Sequence, residues 1–199
     1  MRSTLNILQA DLWKSTGVQD SLYNDPEEWE FDIILIQEPH CFDGNIHITG
    51  VGPNFEAIKA KDIHGRAQDA RIRSCIWANK NNEYTRVPTS SNDITMLMLK
   101  KAERSILVAS VYIPNSRNRR EEDDRKLSRR LQEVQKVIDD EKTANAGLEV
   151  FISGDFNRYD SLWGGDRVAV GSRQGEGDKI LDFMEGNDLQ LLTPRGMVT

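Results

Sequence analysis

A chain of 199 residues, 38% hydrophobic and 29% charged, holds enough apolar material for one core. It leaves no room for two full-sized domains, so residues 1–199 read as one domain, and no apolar run reaches the roughly 20 residues that span a bilayer. The start, MRSTLNILQADLW, lacks the apolar stretch of a signal peptide, and two cysteines, Cys41 and Cys75, supply neither a disulfide framework nor zinc-type spacing, which together predict an intracellular protein. The net charge of −6 argues against nonspecific attraction to nucleic acid, yet segments 1–50, 51–130 and 131–199 carry −7, +7 and −6, a pattern that suits either a polyanionic substrate beside a carboxylate-held metal or an ordinary solvated surface.

In chain order, Leu5–Leu8 is the first run of strand length, and it leads into Leu8-Gln9-Ala10-Asp11-Leu12. Val18 and Leu22 share a face of a short helix from Thr16 to Tyr23, which Asp25-Pro26 stops. Ile33–Ile36 is apolar on both faces, as a central strand covered on both sides would be. Cys75–Ala78, Ile94–Leu99 and Ile106–Tyr112 are three more strand-like runs. Glu121–Glu141 then places Leu127, Leu131, Val134 and Ile138 on one helical face, with acidic residues in its first turn where the helix dipole is positive. Val150–Ile152 is a sixth strand, and Asp178–Glu185 a third helix with Ile180, Leu181 and Met184 inward, ended by Gly186-Asn187. Many strands with a few helices between them predict an α/β sandwich.

Three predicted strand ends present polar side chains. Glu38 follows Ile33–Gln37 and precedes Pro39, which bars further pairing, so this carboxylate sits at a sheet edge. One carboxylate with waters and substrate phosphate is a usual way to hold Mg²⁺, while a solvated strand-end Glu is the plain alternative. Val150–Ser153 runs into a predicted Gly turn at Gly154, after which Asp155 and Asn157 alternate around Phe156. Residues two apart in an extended segment face one way, so a carboxylate and an amide could converge on one phosphate or water, or form an Asx turn that merely closes the strand. Tyr112 ends the third, in Val111-Tyr112-Ile113-Pro114, where its hydroxyl either faces a ligand or satisfies a buried neighbour.

Taken together, Gln37-Glu38-Pro39, Val111-Tyr112-Ile113-Pro114 and Gly154-Asp155-Phe156-Asn157 resemble, in order and spacing, the endonuclease/exonuclease/phosphatase superfamily of metal-dependent phosphodiesterases. Asn157-Arg158-Tyr159-Asp160, Leu162-Trp163-Gly164-Gly165 and Leu191-Leu192-Thr193-Pro194-Arg195-Gly196 resemble the endonuclease domain of fungal non-LTR retrotransposon reverse-transcriptase polyproteins. The resemblance implies a four-layered α/β/β/α sandwich of two packed, mainly antiparallel sheets, DNase I-like, lacking its last strands. It also implies a DNA-nicking hydrolase that uses Mg²⁺, or Mn²⁺, and acts in the nucleus as part of a retrotransposon protein. Glu38 matches the metal-binding glutamate, Asp155 the residue that orients or deprotonates water, and Asn157 and Tyr112 the phosphate-contacting amide and phenol. Asp11 stands where the family has asparagine, and either adds a metal ligand or repels phosphate and raises a neighbouring carboxylate's pKa. Arg158 and Trp163 are candidate substrate contacts, and Trp13 and Trp163 could stack on bases or simply pack.

The family continues beyond the Thr-Pro-Arg-Gly region to a Ser-Asp-His motif that this sequence does not contain before Thr199, so the domain is expected to be incomplete at its C-terminal end. A remnant or pseudoenzyme that binds metal or nucleic acid without cleaving it is therefore the alternative. Of the three histidines, His40 is expected nearest the site, and His47 and His64 in surface roles. Arg117, Arg119, Arg120, Arg125 and Lys126 could meet phosphates, although Glu121–Asp124 among them points to a solvated helix face.

Overall fold

A computed structural model describes residues 4–24, 31–42, 47–60, 71–115, 120–165, 168 and 175–195. Among these residues the strands run in the order β1 (Ile7–Asp11), β2 (Ile33–Gln37), β3 (Cys41–Phe42), β4 (His47–Ile48), β5 (Phe55–Lys59), β6 (Ser74–Asn79), β7 (Glu83–Val87), β8 (Ile94–Lys101), β9 (Arg104–Tyr112) and β10 (Glu149–Asp155). The helices among the described residues are α1 (Thr16–Asn24), α2 (Arg120–Ala144), α3 (Ser161–Gly164) and α4 (Asp178–Gly186). These fall into two compact units, Met1–Ile113 with Glu133–Asp155 and Pro114–Gln132 with Phe156–Thr199.

In the first unit two four-stranded sheets, ordered β1-β2-β6-β5 and β10-β9-β8-β7, pack face to face. Each has one parallel pair, β1 with β2 and β9 with β10, and is otherwise antiparallel. The alternation along β2 explains the packing. Ile33 and Leu35 point into the layer between the sheets with Ile58, Ile76, Leu97 and Val108, while Ile34 and Ile36 point outward into a second cluster with Cys75, Trp77 and Leu22 of α1. The continuous Ile33–Ile36 run is therefore a strand covered on both faces, as expected, and α1 is the helix layer over that sheet.

The predicted strands and long helix are present with shifted ends. β1 begins two residues later than Leu5 and continues to Asp11, and α2 extends through Arg120–Ala144 with Leu127, Leu131, Val134 and Ile138 buried on one face. Two predicted features are corrected. Gly154 is not a turn but lies inside β10, where a Cβ would stand 1.9 Å from the Val111 carbonyl oxygen, so only glycine lets β9 and β10 approach there. The extended stretch ends at Asp155, and Asn157 adopts φ +49°, so the alternation expected across Asp155 and Asn157 does not continue. No described helix is long and apolar enough to cross a membrane. Asp25-Pro26, His64, Arg117, Arg119 and Gly196 lie outside the described residues, as does the side chain of His47.

Candidate active site

Parallel pairing within each sheet brings the strand ends of β1 and β2, and of β9 and β10, side by side, and these ends carry the candidate residues. Asp11 is in register with Gln37, the residue before Glu38, and Asp155 is in register with Tyr112. Beneath them a polar network joins the two sheets. The buried Gln37 accepts from Gln9 Nε2 at 2.6 Å and donates through Nε2 to Ser110 Oγ at 2.9 Å. Ser74 Oγ donates to the Ser110 carbonyl at 2.7 Å, and Thr95 Oγ1 to the Ser74 carbonyl at 2.9 Å. Buried polar groups so fully connected fix a single arrangement of the strands that carry Glu38 and Tyr112.

Glu38 leaves the ladder with φ +46°; its amide donates to the Arg73 carbonyl at 2.8 Å and its own carbonyl accepts from Lys14 N at 2.8 Å. Its Oε1 lies 2.6 Å from Lys14 Nζ. The carboxylate is thus held in place and already attracts a cation, which fits a single-carboxylate site for Mg²⁺ completed by water and phosphate. Among the described residues no cluster of three or more His, Cys, Asp or Glu side chains is placed to hold a metal. Asp11 spends both carboxylate oxygens within its own turn, Oδ1 accepting from Trp13 N at 3.1 Å and Oδ2 from Trp13 Nε1 at 2.9 Å. Burial raises its pKa, with the nearby Glu38 adding to the rise and the Trp13 hydrogen bonds opposing it.

Tyr112 is where the two sheets' contributions meet. Burial first, then the charges of Glu38 and Asp155, push its phenol up to about 12, against a smaller opposing pull from Arg73. The Arg73 guanidinium carbon lies 5.9 Å from the Tyr112 ring centroid, and its Nε is 2.6 Å from Oδ1 of the fully buried Asp93. Asp93 in turn accepts the Tyr112 amide on its backbone carbonyl at 2.8 Å. A neutral hydroxyl bordered by carboxylates and one guanidinium can donate to an anionic oxygen while water is polarised beside Asp155.

Lys14, Arg73 and Asp93 carry no strand-end signal and are not among the sequence-based candidates. Their only cue is position, Asp93 directly before and Arg73 two residues before a predicted strand, and Lys14 two residues before a predicted helix. His40 is tied elsewhere, its Nδ1 3.0 Å from Thr49 Oγ1 and its amide donating to Gln19 Oε1 at 2.8 Å.

In the second unit Asn157 sits in a left-handed turn, which asparagine tolerates. Arg158 is buried, donating through Nη1 to the Asn157 carbonyl at 2.9 Å with Nη2 3.8 Å from Asp124 Oδ1. Trp163 is half-buried on α3, which Asp160 caps through Leu162 N at 2.9 Å; the indole donates to the Arg158 carbonyl at 3.0 Å. These two candidates therefore have internal partners that build this unit. On α2, Lys126 pairs with Glu122 at 3.0 Å, as a solvated charged face does.

Residues 106–199 match the family described as endonuclease-reverse transcriptase. Among solved structures, the endonuclease domain of TRAS1, a telomere-specific non-LTR retrotransposon, is similar over 98% of this chain and 75% of its own, with TM-score 0.66 and 16% identity. AP endonuclease LMAP from Leishmania major covers 91% of this chain and 66% of its own at TM-score 0.66 and 13% identity, and beta toxin from Staphylococcus aureus 91% and 71% at 0.56 and 12%. No curated protein sequence matches.

Proposed function

The chain has the endonuclease/exonuclease/phosphatase fold, that of hydrolytic nucleases and phosphodiesterases, and from that premise we propose that it is a Mg²⁺-dependent phosphodiester hydrolase nicking DNA in the manner of a retrotransposon endonuclease. The observation that carries this reading is the register that sets Asp155 beside Tyr112 in one sheet and Asp11 beside Gln37, the residue before Glu38, in the other, with the Tyr112 phenol pushed up to about 12 by burial and then by the charges of Glu38 and Asp155. In this reading Glu38 holds the metal, which when bound offsets charge growing on the phosphate and its leaving oxygen. Asp155 accepts a proton from the attacking water, and Tyr112 donates to a nonbridging phosphate oxygen. The Asn157 amide serves the phosphate as well, a role that rests on the Asp-x-Asn motif alone. A nuclear setting, as part of a retrotransposon protein, belongs to the same proposal.

The test is nicking of supercoiled plasmid in Mg²⁺ against EDTA. Wild-type nicking that EDTA removes and Asp155→Ala lowers at least about 100-fold is the expected result, comparable to losing one preorganised catalytic group. DNA binding without nicking would instead support the non-cleaving alternative.

A further inference from the structure

Trp13 is the most exposed large hydrophobic side chain among the described residues, at 79%, and yet it is fixed. Its amide and its indole N–H both donate to the Asp11 carboxylate. Trp13 and Lys14 are consecutive left-handed residues, φ +47° and +60°, a backbone state that a bulky side chain adopts only when its surroundings impose it. The turn is pinned at both ends: Leu12 N donates to the Gln37 carbonyl at 3.0 Å, Lys14 N to the Glu38 carbonyl at 2.8 Å, and Lys14 Nζ reaches Glu38 Oε1. A carboxylate and a strained turn thus hold a bare aromatic ring in water one residue from the cation on Glu38. Leu12 at the start of the turn is buried in the core, but the Trp13 ring beyond it is left in water and adds nothing to that core.

We infer that Trp13 is a stacking platform for an unpaired nucleobase of the DNA strand bound at Glu38 and Tyr112, and that Asp11 is a positioning residue for the indole. The inference rests on the nuclease reading and specifies its substrate as DNA with a base displaced from the duplex. A base offers a π-face whatever its sequence, and stacking on an indole needs no hydrogen-bond partner, which suits a ring whose only polar atom is already engaged by Asp11. The identity of residue 11 also acquires a reason. An asparagine offers one acceptor oxygen, whereas the two Trp13 N–H groups take two.

The experiment uses the whole chain in EDTA at one fixed low salt concentration, so that binding is read without cleavage. Fluorescence anisotropy compares a short duplex bearing an unpaired 2-aminopurine with the same duplex abasic at that position, and 2-aminopurine quenching reports stacking directly. Wild type should quench the probe and prefer the base-bearing duplex. Trp13→Ala should lose about tenfold of that preference and the quenching, while Trp13→Phe keeps part of both. Asp11→Asn should reduce the base-to-abasic ratio even though removing a negative charge favours both duplexes alike. Equal affinity of wild type for the two duplexes, or a Trp13→Ala loss that is the same on both, overturns the inference and leaves the nuclease reading standing if plasmid nicking is seen. Wild type that binds neither duplex and nicks no plasmid overturns both.

Discussion

Tyr112 and Glu38 show how little of a site's chemistry resides in one side chain. A phenol in water ionises near 10, but here burial and then the carboxylates of Glu38 and Asp155 move it to about 12, so the hydroxyl remains a donor further into the alkaline range. The sign for stability follows. The folded protein holds this proton more tightly than the unfolded chain, so the contribution is fully present below about pH 10 and is lost as pH rises from there through about 12. Tyr84 is also pushed to about 12, by burial and then by its hydrogen bond to Glu56, so Tyr84 and Tyr112 should both titrate late. In a spectrophotometric titration of tyrosinate, Tyr112→Phe should remove a late-titrating group. Loss of an early-titrating group instead would mean that the carboxylates do not face this phenol.

At the scale of elements, legibility depended on whether one strand or helix carried the signal alone. α2 was visible because its apolar face repeats along its own length, and β2 because both of its faces are covered. β5 and β7 were missed, and β7 (Glu-Tyr-Thr-Arg-Val) shows why: it is an edge strand with exposed charged positions, held by its ladder to β8 rather than by an apolar pattern. Gly154 was misread for a related reason. Within its own segment a glycine before polar residues resembles a turn, and only the neighbouring strand's carbonyl reveals the need for a missing Cβ. Gly154→Ala should therefore force β9 and β10 apart at the Gly154–Val111 pair, next to where Tyr112 and Asp155 are in register, costing about 1–3 kcal/mol or more, as overpacking does. Urea unfolding should show the midpoint falling with little change in slope. An unchanged midpoint would mean that the two strands are not in this close contact.

Across the whole molecule, the candidate site residues that the sequence exposed are those at strand ends, Glu38, Tyr112 and Asp155, because an apolar run ending in a polar group is visible in one dimension. The supporting groups are not. Gln37, Ser74, Thr95 and Ser110 look like ordinary strand residues until two sheets face each other, and Arg73 and Asp93 look like loop charges until they meet. The basic middle segment changes meaning in the same way. Its excess charge suggested cationic loops for phosphates, but Arg73 is paired with Asp93, Arg86 with Glu56, Lys101 with Asp32, Arg104 with Glu149 and Lys126 with Glu122. At least part of that positive charge is shared with carboxylates of the chain itself.

That pairing predicts how DNA affinity responds to salt. Each phosphate neutralised by a protein cation releases condensed counterions, so the slope of log K against log salt is about −0.9 per phosphate contacted on duplex DNA. Among the described residues the cations beside Glu38 and Tyr112 are Lys14 and Arg73, the first shared with Glu38 and the second with Asp93. Two such contacts give a slope of about −2 at most, with the net charge of −6 opposing any tighter nonspecific grip. Anisotropy with a short duplex at several salt concentrations and constant Mg²⁺ should return that shallow slope, and Lys14→Met should flatten it by about 1. A slope near −6 would place the main phosphate contacts outside the Glu38–Tyr112 site, among basic residues such as those of the 117–130 segment. Selectivity for DNA at the site would then owe little to Lys14.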